Sequence, residues 1–326
     1  MILQIIKEDN SSKDISSMVG NISLSSSLDT LGDQLDFEIA YSDTYYYPKF
    51  EVNAGDRVIL QDADKQEVFR GIIVEKTRNE KAQSFSCFDY AFYLNKSKTI
   101  QQFNSIRADN AIKMLLNYFR IPIGGIANMP TIIKKVYFDQ EVSEILKDII
   151  QQVTDTTRAK YVMEMDKGKF YIRQDTESPL NLKIKVADNL PPVDISKTIS
   201  NPSKKASMEE LKNSIRVYVG NEDKVRFSDQ VTDPDSIVRY GVLEETRSLE
   251  DKDIAQAKNI AKNLLKELNK MPVEGSIEVL GHFDLRAGRT IQLNEPITNL
   301  VGKYKIKSAN HSIGTIHTTS LELEGV

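Results

Sequence analysis

The sequence predicts a β-rich α+β protein with two small tube-like β-barrel domains, an α/β insert and a helical segment. Three observations predict this class. Short runs of alternating apolar residues fill both ends of the chain, whereas helical spacing is confined to the middle and to residues 233–270. One turn-and-strand pattern also occurs near both ends. We therefore expect a first barrel domain over residues 1–95, the insert over 96–187 and a second barrel domain over 188–326.

The overall composition limits the partners and the compartment of the protein. The net charge is −4, from 43 Lys and Arg against 47 Asp and Glu, so no basic field indicates a specific nucleic acid or an anionic membrane as a partner. No apolar run approaches the length of a membrane span, and the first residues lack the pattern of a signal peptide. We therefore expect a soluble product, made in a cytoplasm, without membrane insertion.

A single cysteine, Cys87, limits the covalent chemistry of the chain. One cysteine excludes an internal disulfide framework and a cysteine-based zinc cluster. It lies in an alternating run of residues, so we expect a small buried side chain on a strand.

The first domain is predicted to contain six strands separated by turn residues: 3–7, 19–25, 34–40, 57–61, 67–76 and 82–90. Three adjacent tyrosines, Tyr45, Tyr46 and Tyr47, fall in a predicted loop. Tyrosine joins an apolar ring to a polar hydroxyl group, which favours an interface with another protein. Packing of the three rings over the end of the barrel is the other interpretation.

The insert is predicted to hold two helices and a hairpin. Apolar residues at helical spacing predict helices over 108–119 and 141–153, and Pro122 ends the first of them. The turn Asp166-Lys167-Gly168 joins two strands, 161–165 and 169–174. Residues 188–206, rich in Pro, Ser and Lys, are predicted to be a connecting segment.

The last domain is predicted to combine two helices with strands. Asp233 as N-cap, Pro234 at the first helical position and Gly241 as the terminating residue predict a helix over 233–240. The capping-box spacing that begins at Ser248 predicts a longer helix over 249–270. The predicted strands are 213–219, 224–228, 275–280, 287–293, 302–309 and 315–324.

One pattern occurs in both predicted barrels. Residues 54–60 and 287–293 each begin with Ala-Gly, continue with two polar positions and then alternate, and a glycine, Gly71 or Gly302, opens another alternating run. The repetition predicts two barrels of one type. Three such chains about a threefold axis would present six similar barrels, so a trimer could dock on a sixfold ring.

The chain resembles the baseplate hub proteins of contractile phage tails and phage-tail-like bacteriocins (tailocins), also called the late control D family, over nearly its full length. The positions that match the family's motifs are Gly55, Gly71, Tyr240, Gly241, Glu244, Gly288 and Gly302. They lie in the motifs Ala54-Gly55-Asp56-Arg57-Val58-Ile59-Leu60, Val68-Phe69-Arg70-Gly71, Asp235-Ser236-Ile237-Val238-Arg239-Tyr240-Gly241, Leu285-Arg286-Ala287-Gly288 and Gly302-Lys303-Tyr304-Lys305-Ile306, together with the helix 255–268 and His311.

The resemblance implies a non-enzymatic structural protein without a cofactor, at the centre of the baseplate of a phage or phage-tail-like particle. It implies a homotrimer that adapts a threefold central spike to the sixfold tail tube. The implied partners are the tail tube or a tube-initiator protein, the spike, and the tape measure and wedge proteins. The sequence shows no fused oligosaccharide-binding barrel and no lysozyme-like segment, so a separate spike protein would be required.

Metal and nucleotide chemistry find little support in the sequence. The three histidines, His282, His311 and His317, lack the four-residue spacing of a zincin helix. His311 and His317 flank a turn at Gly314, so two ligands could meet there, but no third ligand is indicated. Residues 71–77 end like a phosphate loop but lack the glycine before the lysine, and we interpret them as a strand.

Two other functions stay open. Carboxylates such as Glu244, Glu245, Glu278 and Asp284 could supply an acid and a base to a peptidoglycan-directed hydrolase. A monomeric module that binds a cell-wall glycan is the other alternative. A hydrolase requires a cleft with a carboxyl group of shifted pKa, whereas a structural hub requires association between chains.

Overall fold

A computed structural model describes residues 1–40, 50–184, 191–221, 224–249, 254 and 256–325. The described chain forms two compact units. The larger unit contains Met1–Pro202 and Ser276–Glu324, and the smaller unit contains Ser203–Gly275. Strands make up most of the regular structure, and the helices are few. None of the described helices is long and apolar enough to cross a membrane.

The larger unit begins with seven strands and continues into the region of the predicted insert. The seven strands are β1 (Ile2–Ile6), β2 (Ser12–Asp14), β3 (Val19–Ser27), β4 (Asp33–Ala40), β5 (Arg57–Gln61), β6 (Glu67–Arg78) and β7 (Ala82–Asp89). The next elements are α1 (Ala91–Lys96), β8 (Lys98–Arg107), α2 (Ala108–Tyr118), β9 (Ile123–Ile126), β10 (Ile132–Glu141), α3 (Val142–Thr157), β11 (Tyr161–Asp166) and β12 (Lys169–Gln174).

Four short strands then lead to the smaller unit. They are β13 (Pro179–Leu180), β14 (Lys183–Ile184), β15 (Val193–Asp194) and β16 (Ser200–Ala206). The smaller unit contains β17 (Ser214–Asn221), β18 (Lys224–Thr232), α4 (Pro234–Tyr240), β19 (Glu244–Leu249) and α5 (Ala257–Leu268). The last strands are β20 (Val273–Leu280), β21 (Thr290–Glu295), β22 (Leu300–Ile313) and β23 (His317–Gly325).

One large sheet contains strands from both ends of the chain. Its order is β16-β20-β23-β22-β3-β4-β7-β6-β5-β1-β2, and β21 pairs with β22 and β13. Strand β22 connects the two predicted barrels, because its residues 308–313 pair with residues 22–27 of β3. No closed barrel is found among the described strands, and the two tube-like barrel domains stay a prediction. The large sheet has two β-rich halves, a first half with β1–β7 and a second half with β16 and β20–β23.

The first half and the insert pack apolar residues at the positions that their sequence patterns predict. In the first half, alternate residues of β4 and β7 are buried, and the rings of Phe37 and Phe85 stack with centroids 5.0 Å apart. Cys87 is fully buried on β7, as expected, and burial raises the pKa of its thiol. In the insert, α3 buries one stripe made of Ile145, Leu146, Ile149, Ile150 and Val153.

The insert contains more sheet than the sequence pattern indicates. Strands β8 and β10 form an antiparallel pair whose inner residues, Phe103 and Tyr137, meet edge to face in the core beside α2 and α3. The buried Tyr137 hydroxyl donates to Asp148 at 2.6 Å, which satisfies its polar atom. Exposed positions of these strands also carry apolar side chains, Ile100, Val136 and Phe138, so the alternation is weak and the local pattern does not predict either strand.

Three predicted elements differ from the structure, two of them where strand pairing overrides local signals. The helix predicted over 249–270 corresponds to α5, Ala257–Leu268. Residue 249 instead ends β19, which pairs in parallel with residues 214–219 of β17, and residues 250–253 and 255 of the prediction lie outside the described residues. The predicted connecting segment 188–206 contains β15 and β16, and β16 pairs with β20. The last strand of the repeat starts at Thr290 rather than at residue 287.

The short helix α4 forms as its capping signals predict. The Asp233 carboxylate accepts the backbone N–H of Ser236 at 3.0 Å and the side-chain amide of Asn269 at 2.7 Å. Gly241 ends the helix with φ of +79°, and its N–H donates to Ile237 O at 2.8 Å. An N-cap that also binds Asn269 fixes the end of α5 against the start of α4.

Replacing Asp233 by Ala should lower the free energy of unfolding by about 1–2 kcal/mol, because one cap hydrogen bond and one bond to Asn269 are lost. The control is Asp235→Ala, which removes a first-turn acid with no cap bond and should cost only about 0.3–1 kcal/mol. Urea unfolding followed by far-UV circular dichroism measures both. Equal losses in the two variants would contradict the capping role.

Candidate functional site: repeated edges and a buried junction

The repeated Ala-Gly pattern forms the same turn twice. Gly55 has φ of +92° and Gly288 has φ of +84°, a region that glycine enters without a steric penalty. The Gly55 N–H donates to Ile73 O and the Gly288 N–H donates to Ile306 O, both at 2.8 Å. The return bonds also match, because the N–H groups of Ile73 and Ile306 donate to residues 56 and 289.

The strands that follow the two turns share one register. Arg57 pairs with Ile72 and Thr290 pairs with Lys305, and adding 233 to each residue number converts the pairs of residues 57–60 into those of residues 290–293. The register of the first copy then shifts at Gln61, which pairs with Glu67. The two downstream glycines do not correspond, because Gly71 pairs with Val58 whereas Gly302 pairs with Leu293. Gly71 lies inside β6 rather than at its start, and only Gly302 has a positive φ, of +124°.

The strand order around each turn is also repeated. One run of the large sheet is β5-β6-β7-β4-β3 and the other is β21-β22-β23-β20-β16. Each run begins with three strands in sequence order. It ends with the two strands that come earlier in the chain, in reverse order: β4-β3 in the first run and β20-β16 in the second. The sequence repeat therefore corresponds to a repeated five-strand topology.

The two copies differ in what their long strand pairs with. In the second copy, β22 pairs with β21 through residues 300–305 and with β3 through residues 308–313. In the first copy, β6 pairs with β5 through residues 67–72 and, along its other edge, with β7 through residues 71–78, as β22 pairs with β23. Among the described strands none occupies the place beside residues 75–77 that β3 occupies beside β22. At the other end of the sheet, β16 is the last described strand.

A buried arginine joins both halves to the insert. The Arg286 guanidinium donates to the Asp33 carboxylate and, at 2.5 Å, to Met165 O of the insert, while Asp166 lies 3.6 Å away. The next residue, Ala287, donates its N–H to Ser26 Oγ at 2.9 Å. Residues that lie far apart in the chain therefore meet at one cation.

Burial and neighbouring charges shift the pKa values of Arg286, Asp33 and Asp89. Neighbouring carboxylates, Asp33 first, raise the pKa of Arg286 despite its burial, so it stays a cation. Burial raises the pKa of Asp33, an effect that Arg286 opposes. Burial and the nearby Asp33 raise the pKa of Asp89 to about 8, although Asp89 accepts the backbone N–H groups of Asp33 at 2.6 Å and Ala91 at 2.9 Å.

Three more ion pairs extend this junction toward β11 and β12. Arg289 donates to Glu164 at 2.8 Å, and Arg173 approaches the other oxygen of Glu164 at 3.0 Å. Lys305 binds Asp175, and this bond lowers the pKa of Asp175 although burial acts to raise it. The second half is thus held to the insert hairpin by charge-assisted contacts as well as by packing.

Two of the three histidines meet, as the sequence suggested they could. His311 Nδ1 lies 3.1 Å from His317 Nε2 and 2.9 Å from Thr319 Oγ1, and His311 Nε2 lies 3.0 Å from Leu285 O. The ring of Phe283 stacks on His317 with centroids 4.6 Å apart. No group of three His, Cys, Asp or Glu side chains able to hold a metal ion occurs within the described ranges.

The remaining matched positions lie in the smaller unit. Tyr240 ends α4 with the Arg239 guanidinium over its ring, and Gly241 follows it. Glu244 accepts hydrogen bonds from Ser214 at 3.1 Å and Arg216 at 3.1 Å on the neighbouring β17, and from Gln230 at 3.0 Å on β18. Glu244 therefore links three strands of this sheet through side-chain hydrogen bonds.

Other sequence candidates are dispersed. Glu278 accepts the amide of Asn201 at 2.9 Å, and Asp284 lies 3.6 Å from His282 Nδ1. Glu245 pairs with Ile215 in the sheet of the smaller unit, to which Glu244 also belongs. The tyrosines Tyr45, Tyr46 and Tyr47 lie outside the described residues.

The Asp33–Asp89–Arg286 cluster is not predicted from the sequence. Two of its members do lie beside predicted turns, because Arg286 directly precedes the second Ala-Gly turn and Asp33 follows Gly32. Nothing in the local pattern, however, shows that two residues 253 positions apart come into contact. The pairing of Lys305 with Asp175 was missed for the same reason.

Comparison with known proteins finds one family and several related folds. A family model described as YQBQ-like matches residues 22–324. The uncharacterized protein YqbQ of Bacillus subtilis is 26% identical over 280 residues, which cover 84% of this chain and 82% of YqbQ. The phage-like element PBSX protein XkdQ of the same organism is 25% identical over 286 residues, covering 86% and 83% of the two chains.

Solved structures share the fold at low sequence identity. The 43 kDa tail protein of prophage MuSo2 from Shewanella oneidensis superposes with a TM-score of 0.71 at 13% identity, covering 99% of this chain and 98% of that chain. The tail protein from Neisseria meningitidis MC58 gives 0.68 at 14% identity, with 99% and 96% covered. The E. coli protein c3393, a component of the type VI secretion system, gives 0.52 at 9% identity, with 94% and 72% covered.

Replacing Arg286 by Met should lower the free energy of unfolding by about 3–5 kcal/mol, because Asp33 is left buried without its cation. The matched control is Lys147→Met, which breaks an exposed pair with Glu144 on α3 and should cost less than about 1 kcal/mol. Urea unfolding at pH 7 measures both. Losses of similar size in the two variants would contradict a central role for Arg286.

The two equivalent turns permit a second comparison. A Cβ atom on Gly55 would meet no atom within 4 Å, whereas one on Gly288 would lie 2.7 Å from Val162 of β11. Both Ala variants carry the cost of a positive φ, about 1–2 kcal/mol. Gly288→Ala should therefore destabilise the protein by about 1–3 kcal/mol more than Gly55→Ala, because the insert hairpin must move. Equal losses in thermal unfolding would show that Val162 does not press on this turn.

Proposed function

Because the chain belongs to the YQBQ-like family and shares its fold with phage tail proteins, we propose that it is a structural, non-enzymatic baseplate hub of the late control D type. In this proposal the protein acts at the centre of the baseplate of a phage or phage-tail-like particle. The observation that carries the proposal is the repeated five-strand topology, with its matching turns and register.

A chain with two similar halves suits a threefold assembly on a sixfold partner. Three chains about one axis place six similar halves in a ring, so that each half faces one subunit of a sixfold tube. The halves need not be identical for this match, since only the surfaces that contact the tube have to correspond. This is why we propose a homotrimer that adapts a threefold spike to the sixfold tail tube.

The joint between the two halves supports a model for the contact between chains. Within one chain, β22 of the second half pairs with β3 of the first half. The counterpart joint would pair β6 of one chain with β16 of the next, because β6 corresponds to β22 and β16 corresponds to β3. Such a head-to-tail contact is heterologous and forms a closed ring only when its rotation returns to the starting chain.

The proposed partners are the tail tube or a tube-initiator protein, a separate central spike protein, and the tape measure and wedge proteins. The fold likeness to c3393 supports a spike partner, because that protein is described as structurally similar to the T4 tail proteins gp27 and gp5. The balanced charge of the chain supports protein partners rather than a specific nucleic acid.

The native mass of the purified full chain at micromolar concentration tests the proposal. We expect a species of three times 36.9 kDa. The spike, the tube protein and the other named partners are absent from this sample, so a trimer seen here forms without them. A strict monomer across the micromolar range that also binds or cleaves purified peptidoglycan would instead support the glycan-binding or hydrolase alternative and would count against the hub.

A further inference from the structure

The paired histidines lie inside the second half with defined proton positions. His311 is 1% exposed, and its Nε2 must carry a proton, because its partner Leu285 O only accepts. The neutral ring therefore presents a lone pair at Nδ1. Thr319 Oγ1 and His317 Nε2 both face that lone pair, at 2.9 and 3.1 Å. The pair is satisfied while both rings are neutral.

This pair holds the same turn that carries the arginine junction. His311 binds Leu285 O, and the next residue, Arg286, binds Asp33 and Met165 O. The turn begins at Gly281, whose N–H donates to His317 O at 2.7 Å, and ends at Gly288, whose N–H donates to Ile306 O. Residues 281–288 are thus fixed from one side by histidines and from the other by the first half and the insert.

We propose that the His311–His317 pair is an acid-sensitive latch on residues 281–288, so that protonation of the pair releases the turn and weakens the Arg286 junction between the two halves and the insert. The neutral pair accepts and donates without an uncompensated charge. A proton taken up at Nδ1 of His311 would place a buried cation in the field of Arg286. Within the described part of the chain, no carboxylate is among the groups bonded to either ring.

The electrostatic surroundings of both rings favour their neutral forms. Burial, then the charges of His317 and Arg286, lower the pKa of His311 to about 3. Burial, then His282, lowers the pKa of His317 to about 4. An unfolded histidine has a pKa of about 6.5. The open turn therefore binds more protons than the closed turn, and the closed form loses stability as pH falls below about 6.5.

The carboxyl groups near Arg286 act in the opposite direction. Burial raises the pKa of Asp33 and that of Asp89, so their protonation favours the folded form as pH falls. Asp166 and Glu164 also face the guanidinium, and Asp284 faces His282. A comparison between the wild type and histidine variants is therefore needed, because it cancels the contribution of the carboxyl groups.

Hydrogen–deuterium exchange on the full chain between pH 7 and pH 4.5 tests the latch, with rates corrected for the intrinsic effect of pH. In the wild type, the opening constant of residues 281–288 should rise by up to about tenfold per pH unit for each proton taken up. His311→Gln keeps a donor for Leu285 O without a titrating ring and should lose most of this rise. The control, His282→Gln, removes a histidine of the same turn and should keep it.

Histidine NMR titration of the wild-type chain provides a measurement that does not depend on the variants folding. The three histidines can be assigned with the His282 and His317 variants. We expect the His311 and His317 resonances to stay in the neutral form down to about pH 5. Titration of either ring near pH 6.5 overturns the proposal, as does an equal pH dependence of exchange in the wild type and His311→Gln.

Discussion

The ion pair between Arg286 and Asp33 is the contact on which the rest of the larger unit depends. A buried guanidinium must have its donors satisfied, because the cost of removing an ion from water is several kcal/mol. Here the acceptors come from the first half and from the insert, while the cation comes from the second half. Tight turns on both sides allow the approach, and Gly288 leaves just enough room for Val162. The junction therefore fixes the position of three chain segments that share few local signals.

The duplicated topology also bears on how two chains could pair their strands. Each half carries a long strand, and in the second half that strand extends past its hairpin partner to pair with the first half. The first half contains a strand of the same kind in the same register, with β7 along one edge of residues 75–78. Among the described strands this joint forms once within a chain, and the repeated topology supplies a second pair of corresponding strands, β6 and β16. In the proposed ring, the edge of β6 beside residues 75–77 and the outer edge of β16 would form this joint between chains.

Local signals predicted the elements well where the backbone decides alone. The Asp233 cap, the Gly241 terminator and the strand at residues 57–61 are where the pattern placed them. Prediction fails where distant pairing competes, as at Ser248 and Leu249, which begin the predicted capping box but lie at the end of a strand paired with β17. The matching turns at Gly55 and Gly288 were found from the sequence because a positive φ restricts the residue type. The Arg286 cluster was not found, because its members meet only through the sheet.

Disulfide trapping between chains tests the central claim most directly. The joint within the chain gives a positive control, because Ser25 lies opposite Asn310 and cysteines at both should link within one chain. The position that corresponds to Asn310 on β6 is Thr77, to be combined with a cysteine at Ser203 or Lys205 on β16, while the native Cys87 stays buried. We predict covalent dimers and trimers and no larger species. Linked chains that continue beyond three, or no link from either β16 position while the control pair closes, would contradict a threefold ring built on this joint.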